Sequence, residues 1–281
     1  MNKVIAIVGP TASGKTKLAI DLAQKLDTEI ISADSRLVYK GFDIGTAKPT
    51  KEEQALVMHH LIDVVEPEID YSVAEFCDSA KKVINTLHIK NKVPIVVGGT
   101  GLYFRILLEN YDLPRIEANP ELRSKLEAMP IEDLYNKLKK FDPVSAENIH
   151  MNNKVRVVRA LEVSILMNKP FSEVKGTKSC EYDVEWIFPE IESREVLYDR
   201  INKRVDLMIE DGLVEETKYL LAKHGRIKNL INTIGYKEMI SYLDNVITFD
   251  EAKELLKQNT RRYAKRQLTW FRKNENLEIT I

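Results

Sequence analysis

Lys3-Val4-Ile5-Ala6-Ile7-Val8-Gly9-Pro10-Thr11-Ala12-Ser13-Gly14-Lys15-Thr16 is the stretch whose reading decides the fold. Its apolar run suits a strand buried on both faces. The pattern GxxxxGK[ST] follows without a departure, and helical periodicity runs from Lys15 to Leu26. In that setting the glycines let the backbone curl so that N–H groups point inward, and the helix N-terminus adds positive potential. Residues 9–16 are therefore expected to cradle a diphosphate or polyphosphate, with Lys15 on the phosphate oxygens and the Thr16 hydroxyl within reach of Mg²⁺.

Outward from this loop, strand and helix patterns alternate. Thr28–Ala33, Leu61–Val65 and Val93–Val97 read as further strands. A loop rich in Gly and Pro spans about Tyr39 to Pro49, and Ser72 with Glu75 forms a capping box opening a helix to about Ile89. After Asp112 the β-type runs stop, and Pro114, Pro120, Pro130, Pro143 and Pro170 divide the chain into helix-sized pieces. Val184–Phe188 then reads as a returning strand, followed by helical patterns over Ser193–Asp211, Leu213–Lys223 and Asp250–Lys273. The expected fold is α/β: a P-loop NTPase-like parallel sheet flanked by helices, with an inserted small helical subdomain. Residues 1–112 and 184–281 form the core and 113–183 the insert.

The chain has 281 residues, with 42 Lys and Arg against 43 Asp and Glu, a net charge of −1. No window approaches a membrane span, and the N-terminal apolar run is too short for a signal-peptide core, so a cytoplasmic location is expected. Cys77 and Cys180 stand far apart without CxxC spacing, which argues against a disulfide scaffold or structural zinc. His59 and His60 are adjacent and would point apart on any regular element, so they read as structural. Total charge argues against nucleic acid, but residues 251–281 hold eight Lys and Arg against four Glu.

Ligands of open α/β sheets bind beyond the carboxyl ends of the strands. The segments expected there are the phosphate loop, Ser32-Ala33-Asp34-Ser35-Arg36, and Gly98-Gly99-Thr100-Gly101. Asp34 is either a general base or Mg²⁺ ligand, or the cap of a turn. Gly98-Gly99 would let backbone approach a ligand closely. Thr100 is either a donor to a phosphate oxygen or a helix N-cap. A Walker B aspartate is lacking: Asp63 follows only Leu61-Ile62, and no [NT]KxD guanine signature occurs. The loop therefore suits a diphosphate leaving group with no γ-phosphate to transfer.

GPTASGKT, ISADSRLVYKGFDIGTAKP, VVGGTGLY, IGYKE and TRRYAKRQLTWFR, in this order, resemble the tRNA dimethylallyltransferase (tRNA isopentenyltransferase) family over essentially the whole chain. The resemblance implies transfer of a dimethylallyl group from dimethylallyl diphosphate to N6 of adenosine 37, 3′ of the anticodon, in tRNAs reading codons that begin with U. It implies Asp34 as base, Lys15, the loop N–H groups, Thr16 with Mg²⁺ and Thr100 on the diphosphate, and Arg204 as the family's helix arginine, a position that otherwise reads as solvated. The family commonly has Gln where this chain has Leu37, so a polar base contact by that side chain is lost.

For RNA, the resemblance implies contacts at Asp34, Ser35, Arg36, Leu37 and Thr100, at Arg123, Arg156 and Arg159 of the insert, and at Asn232, Gly235, Tyr236 and Lys237. Thr260–Lys273 carries six basic residues and no acid, interleaved with Tyr263, Trp270 and Phe271. Such a helix suits phosphate contact and stacking through Lys265 and Arg266, or else its aromatics are core. The partners implied are the tRNA anticodon stem-loop and dimethylallyl diphosphate, with no membrane, and the chain acting as a monomer. A small-molecule P-loop kinase and a non-enzymatic, nucleotide-gated RNA-binding module are the competing readings.

Overall fold

The computed structural model describes residues 2–109, 111–112, 116, 119–174, 176–177, 181–277 and 279; Pro114 and Cys180 lie outside them. The strands are β1 (Asn2–Val8), β2 (Ile30–Ser32), β3 (His59–His60), β4 (Ile95–Gly98), β5 (Tyr111–Asp112), β6 (Gly176–Thr177) and β7 (Tyr182–Ile187). Five of them form a parallel sheet in the order β3-β2-β4-β1-β7. α1 (Lys15–Lys25), α2 (Lys51–Leu56), α3 (Val73–Ile89) and α4 (Gly101–Leu108) are interspersed with its first four strands. The chain packs as two compact units, residues 1–108 with 180–281 and residues 109–179.

Alternation along β1 explains the packing of the sheet. Val4, Ala6 and Val8 join Phe76 and Ile84 of α3 and Phe104 of α4 in one core layer. Ile5 and Ile7 point the other way, joining Ala19 and Ile20 of α1. A strand sandwiched between two helical layers has no solvated face, and this explains its unbroken apolar sequence. The capping box at Ser72 and Glu75 is formed as the sequence predicts.

The unit of residues 109–179 contains α5 (Pro120–Glu127), α6 (Ile131–Phe141), α7 (Pro143–Asn148), α8 (Lys154–Met167) and α9 (Phe171–Val174). Leu126, Leu134, Leu138, Val157 and Leu161 make its own core. It is not wholly helical: β6 falls where the sequence shows no β-type run and pairs antiparallel with β5. Two-residue strands leave no alternation to read. After β7 come α10 (Arg194–Glu210), α11 (Leu213–His224), α12 (Lys228–Ile231), α13 (Tyr236–Leu243) and α14 (Phe249–Phe271).

One strand lies earlier than its apolar run suggests. The run Leu61–Val65 is not β3; His59-His60 is, paired with Ile30 and Ile31. Leu61 and Asp63, with φ of 63° and 54°, turn the chain where the strand was expected. His60 Nε2 bonds Glu29 at 2.6 Å, and the His59 Nδ1–H donates to the Val57 carbonyl at 2.8 Å, so both histidines serve the fold here.

Candidate active site

β1 ends at Val8, and the loop from Gly9 turns back into α1. Gly14, with φ of 86°, caps α1 in a backbone conformation that L side chains rarely adopt. Lys15 donates through Nζ to the Pro10 carbonyl at 2.5 Å. Burial and the nearby Arg204 guanidinium push Lys15 from 10.5 down to about 7, with Asp34 acting in the opposite direction. Arg204, on α10, reaches the Thr11 hydroxyl at 3.4 Å, and burial lowers its own pKa.

A cavity of about 390 Å³ opens at the carboxyl ends of the strands. Its polar wall includes Thr11, Lys15, Thr16, Asp34, Arg36 and Arg204. Leu37, Ile62, Val205, Met208, Ile234 and Leu256 supply an apolar wall. Ser35, Asn232 and Arg266 also border it. Residues singled out in the sequence thus meet around one cavity, drawn from the phosphate loop, the turn after β2, the end of β4 with Gly98 and Gly99, α10, the segment before α13, and α14. Gly9, Pro10, Ala12, Ser13 and Gly14 shape the loop without lining the cavity.

Asp34 both borders the cavity and holds a turn. Its Oδ1 accepts the Arg36 N–H at 2.8 Å, the capping geometry expected of an aspartate leaving a strand. Thr100 stands behind that turn: its hydroxyl accepts the Ser35 N–H at 3.1 Å and does not line the cavity. Gly98, which ends β4, and Gly99 border the cavity, and with Gly101 they also admit neighbours from the chain itself. A Cβ on Gly98 would collide with the Ala33 carbonyl, on Gly99 with the Gln267 amide, and on Gly101 with the Trp270 ring.

The segment between β2 and α2 is fixed from outside. Glu216 of α11 accepts the N–H groups of Ile44 and Gly45, both at 2.9 Å, and the Tyr236 hydroxyl at 2.7 Å. Tyr236 is fully buried, packs edge-on against Phe42, and is raised in pKa by burial and by Glu216. The expectation of an RNA contact at Tyr236 is therefore corrected: its side chain belongs to the core, and buried Gly235 abuts the Gly45 carbonyl. Lys237 is exposed, as is Lys265, and neither lines the cavity. Asp63 and Asp43 pair with buried Lys48, so Asp63 serves the loop and not a metal.

The insert brings two of its predicted arginines together. Arg123 of α5 and Arg159 of α8 both donate to Glu162 Oε2, at 2.8 Å and 2.7 Å, while Arg156 is exposed. Burial alone would raise the fully buried Glu162 carboxyl, but the two guanidinium groups hold it below its ordinary range.

For a cation, the fit is that of a hard ion shared with a ligand. No cluster of three His, Cys, Asp or Glu side chains occurs among the described residues, while the Thr16 hydroxyl and Asp34 border the cavity. An ion there would take its remaining oxygens from phosphate and water, as Mg²⁺ characteristically does.

Gln267 and Glu216 escaped the sequence reading. Gln267 is 5% exposed, and its amide joins the Thr11 N–H to the Gly99 carbonyl. The readable signal was a polar residue on the stripe formed by Ala264, Leu268 and Phe271, all buried.

A phosphate loop after β1, a carboxylate after β2, a buried guanidinium and an apolar wall around one cavity define an enzyme of the P-loop fold that holds a diphosphate group beside an apolar moiety. Residues 37–274 match the IPP transferase family. The chain is 50% identical to the tRNA dimethylallyltransferase of Acetivibrio thermocellus, with 99% of this chain and 91% of that protein covered. It is 47% identical to the tRNA dimethylallyltransferase of Halalkalibacterium halodurans, with 98% and 90% covered. Among solved structures, the full-length tRNA isopentenylpyrophosphate transferase from Bacillus halodurans superposes with a TM-score of 0.72 at 45% identity, covering 98% of this chain and 88% of that one. A eukaryotic dimethylallyltransferase acting on tRNA gives a TM-score of 0.85 at 32% identity, with 96% and 70% covered. The chain belongs to the IPP transferase family. These relatives give no support to the kinase or the nucleotide-gated module.

Proposed function

We propose that this chain transfers the dimethylallyl group of dimethylallyl diphosphate to N6 of adenosine 37 in tRNAs reading codons that begin with U, releasing diphosphate. The observation that carries this reading is the single cavity that joins Lys15, Thr16 and Arg204 to Asp34 across an apolar wall. The N6 lone pair is delocalised into the adenine ring, so the amine is a weak nucleophile. Asp34 would take its proton as the new C–N bond forms. Breaking the allylic C–O bond leaves negative charge on the diphosphate, and Lys15, Arg204 and N–H groups of the loop would supply donors to that charge. Mg²⁺, held by Thr16 and the diphosphate oxygens, would supply further positive charge to the leaving group. Leu37, Met208 and Leu256 would shield the allylic carbons from water.

Unpaired loop bases splay at low cost, which suits an anticodon-loop adenosine. Arg123, Arg156 and Arg159 of the insert, with Asn232, Lys237, Lys265 and Arg266 of the core unit, are the candidate contacts to the anticodon stem-loop. Thr100 supports the Asp34 turn. We infer further that the chain acts as a monomer. No described helix is long and apolar enough to cross a membrane, and a tRNA substrate favours the cytoplasm.

Incubation with dimethylallyl diphosphate, Mg²⁺ and unmodified tRNA, followed by mass analysis of the digested nucleosides, tests the reading. A prenyl increment on adenosine is expected. Its absence, with ATP consumed in a parallel reaction, overturns it. Asp34→Ala should abolish transfer while tRNA binding survives.

A further inference from the structure

The side chains at 263, 266, 267 and 270 follow helical spacing along one face of α14, and each meets a segment beyond the strand ends. Tyr263 and Arg266 border the cavity, Gln267 bonds Thr11 and Gly99, and Trp270 fills the space over Gly101. Arg266 also lies 5.6 Å from the Tyr263 ring, so the basic and aromatic residues of this face brace one another.

Of these, Gln267 alone reaches both the phosphate loop and the turn after β4. Its Oε1 accepts the Thr11 N–H at 2.9 Å and its Nε2 donates to the Gly99 carbonyl at 3.0 Å. The amide is polarised in the one sense that satisfies both. Thr11 is thereby fixed with its N–H directed to Gln267 and its hydroxyl to Arg204. A buried amide with both ends used has no freedom to rotate, so it transmits the position of α14 to the loop.

We propose that Gln267 is a positioning residue for the transfer reaction: it clamps the phosphate loop to the turn after β4, so that the loop donors and Arg204 meet the diphosphate in one fixed arrangement. The inference rests on the prenyl-transfer reading and adds a residue on the basic C-terminal helix whose effect falls on the diphosphate. Lengthening or releasing the clamp would displace the loop by a fraction of an ångström to about 1 Å, a displacement that costs a pre-organised site up to about 100-fold in rate.

Three proteins are compared: the wild type, Gln267→Met and Gln267→Glu. Met keeps the length and removes both hydrogen bonds. A glutamate accepts the Thr11 N–H at every pH but donates to the Gly99 carbonyl only when protonated, and burial raises the pKa of such a carboxyl. Lys15, Asp34, Arg36, His59, Arg204, Tyr263 and Arg266 border the same cavity, so each variant is read as its ratio to the wild type at the same pH. Expected for Gln267→Met are a kcat about 10- to 100-fold lower, weaker binding of inorganic diphosphate with Mg²⁺, and a tRNA Kd within about twofold of wild type. Expected for Gln267→Glu is a ratio that climbs towards one as pH falls. The inference is overturned if Gln267→Met keeps wild-type kcat and diphosphate affinity, or if the soluble, folded Gln267→Glu protein shows a ratio independent of pH. Should Gln267→Met fail to fold, Gln267→Glu alone decides. The wild-type arm separates the two failures, since absence of prenyl transfer there sinks the reaction while diphosphate binding still reports on the clamp.

Discussion

Lys15 sits in the cavity as a cation held under tension. Burial and Arg204 bring it from 10.5 to about 7, so its charge is lost as pH rises through that value. An anion binds the charged form, and diphosphate affinity should therefore fall with rising pH, by up to about tenfold per pH unit above 7. Titration calorimetry of inorganic diphosphate with Mg²⁺ checks this against Lys15→Arg, which stays charged throughout; matching slopes would show that Lys15 keeps its proton. Gly45 allows a second measurement. A Cβ there would overlap the Tyr236 ring, which is fully buried and tied to Glu216. Gly45→Ala should cost about 1–3 kcal/mol in urea unfolding. At this scale the sequence spoke clearly where a residue type has few alternatives. Lys15 and Thr16 stand in a motif whose chemistry needs them, and Asp34 caps its turn while bordering the cavity. Tyr236 was misread because a motif residue can matter by packing: its hydroxyl serves Glu216, which lies 20 residues away in sequence.

Among the elements, α14 carries the most consequence for the site. Its N-terminus is a capping box in which Thr248 and Glu251 exchange side-chain and backbone hydrogen bonds. Thr248→Ala should destabilise the protein by about 1 kcal/mol, seen as a lower urea midpoint with an unchanged slope, and kcat should hold at temperatures well below the midpoint. A parallel fall in kcat under those conditions would mean that the whole helix shifts when its first turn frays. Elements with a strong period or cap were legible: β1, α1, α3 and α14 follow from apolar runs, the phosphate motif and the Ser72 box. Short ones were not. β3 is two residues long and followed by positive-φ residues, and α2, α12 and α13 span only 6, 4 and 8 residues. Such pieces are held by tertiary contacts, as the Glu216 bonds to Ile44 and Gly45 show, and tertiary contacts leave no local pattern to read.

Over the whole molecule, charge is placed where the total conceals it. A net charge of −1 coexists with a C-terminal helix whose Lys265 and Arg266 are exposed, and with two arginines of the insert gathered on one buried glutamate. If Lys265 and Arg266 each neutralise a phosphate, the double alanine variant should flatten the plot of log tRNA affinity against log salt by roughly 1.5. Filter binding across a salt series measures it, and an unchanged slope would assign both residues to solvent. The loss of β-type runs after Asp112 suggests an insert over residues 113–183, whereas the compact units divide at 108/109 and 179/180, and the small strand pair leaves no pattern to read. The sheet also has a history in synthesis. β1 pairs with β7 from Asn2 opposite Tyr182 to Ile7 opposite Ile187, and the Thr11 amide finds Gln267 only 256 residues later. At about 5–20 residues per second on the ribosome, the apolar edge of β1 waits roughly 10–35 s for its partner and the phosphate loop longer still. During that interval the nascent chain is a natural client for chaperones, and competence for chemistry arrives only once α14 has emerged.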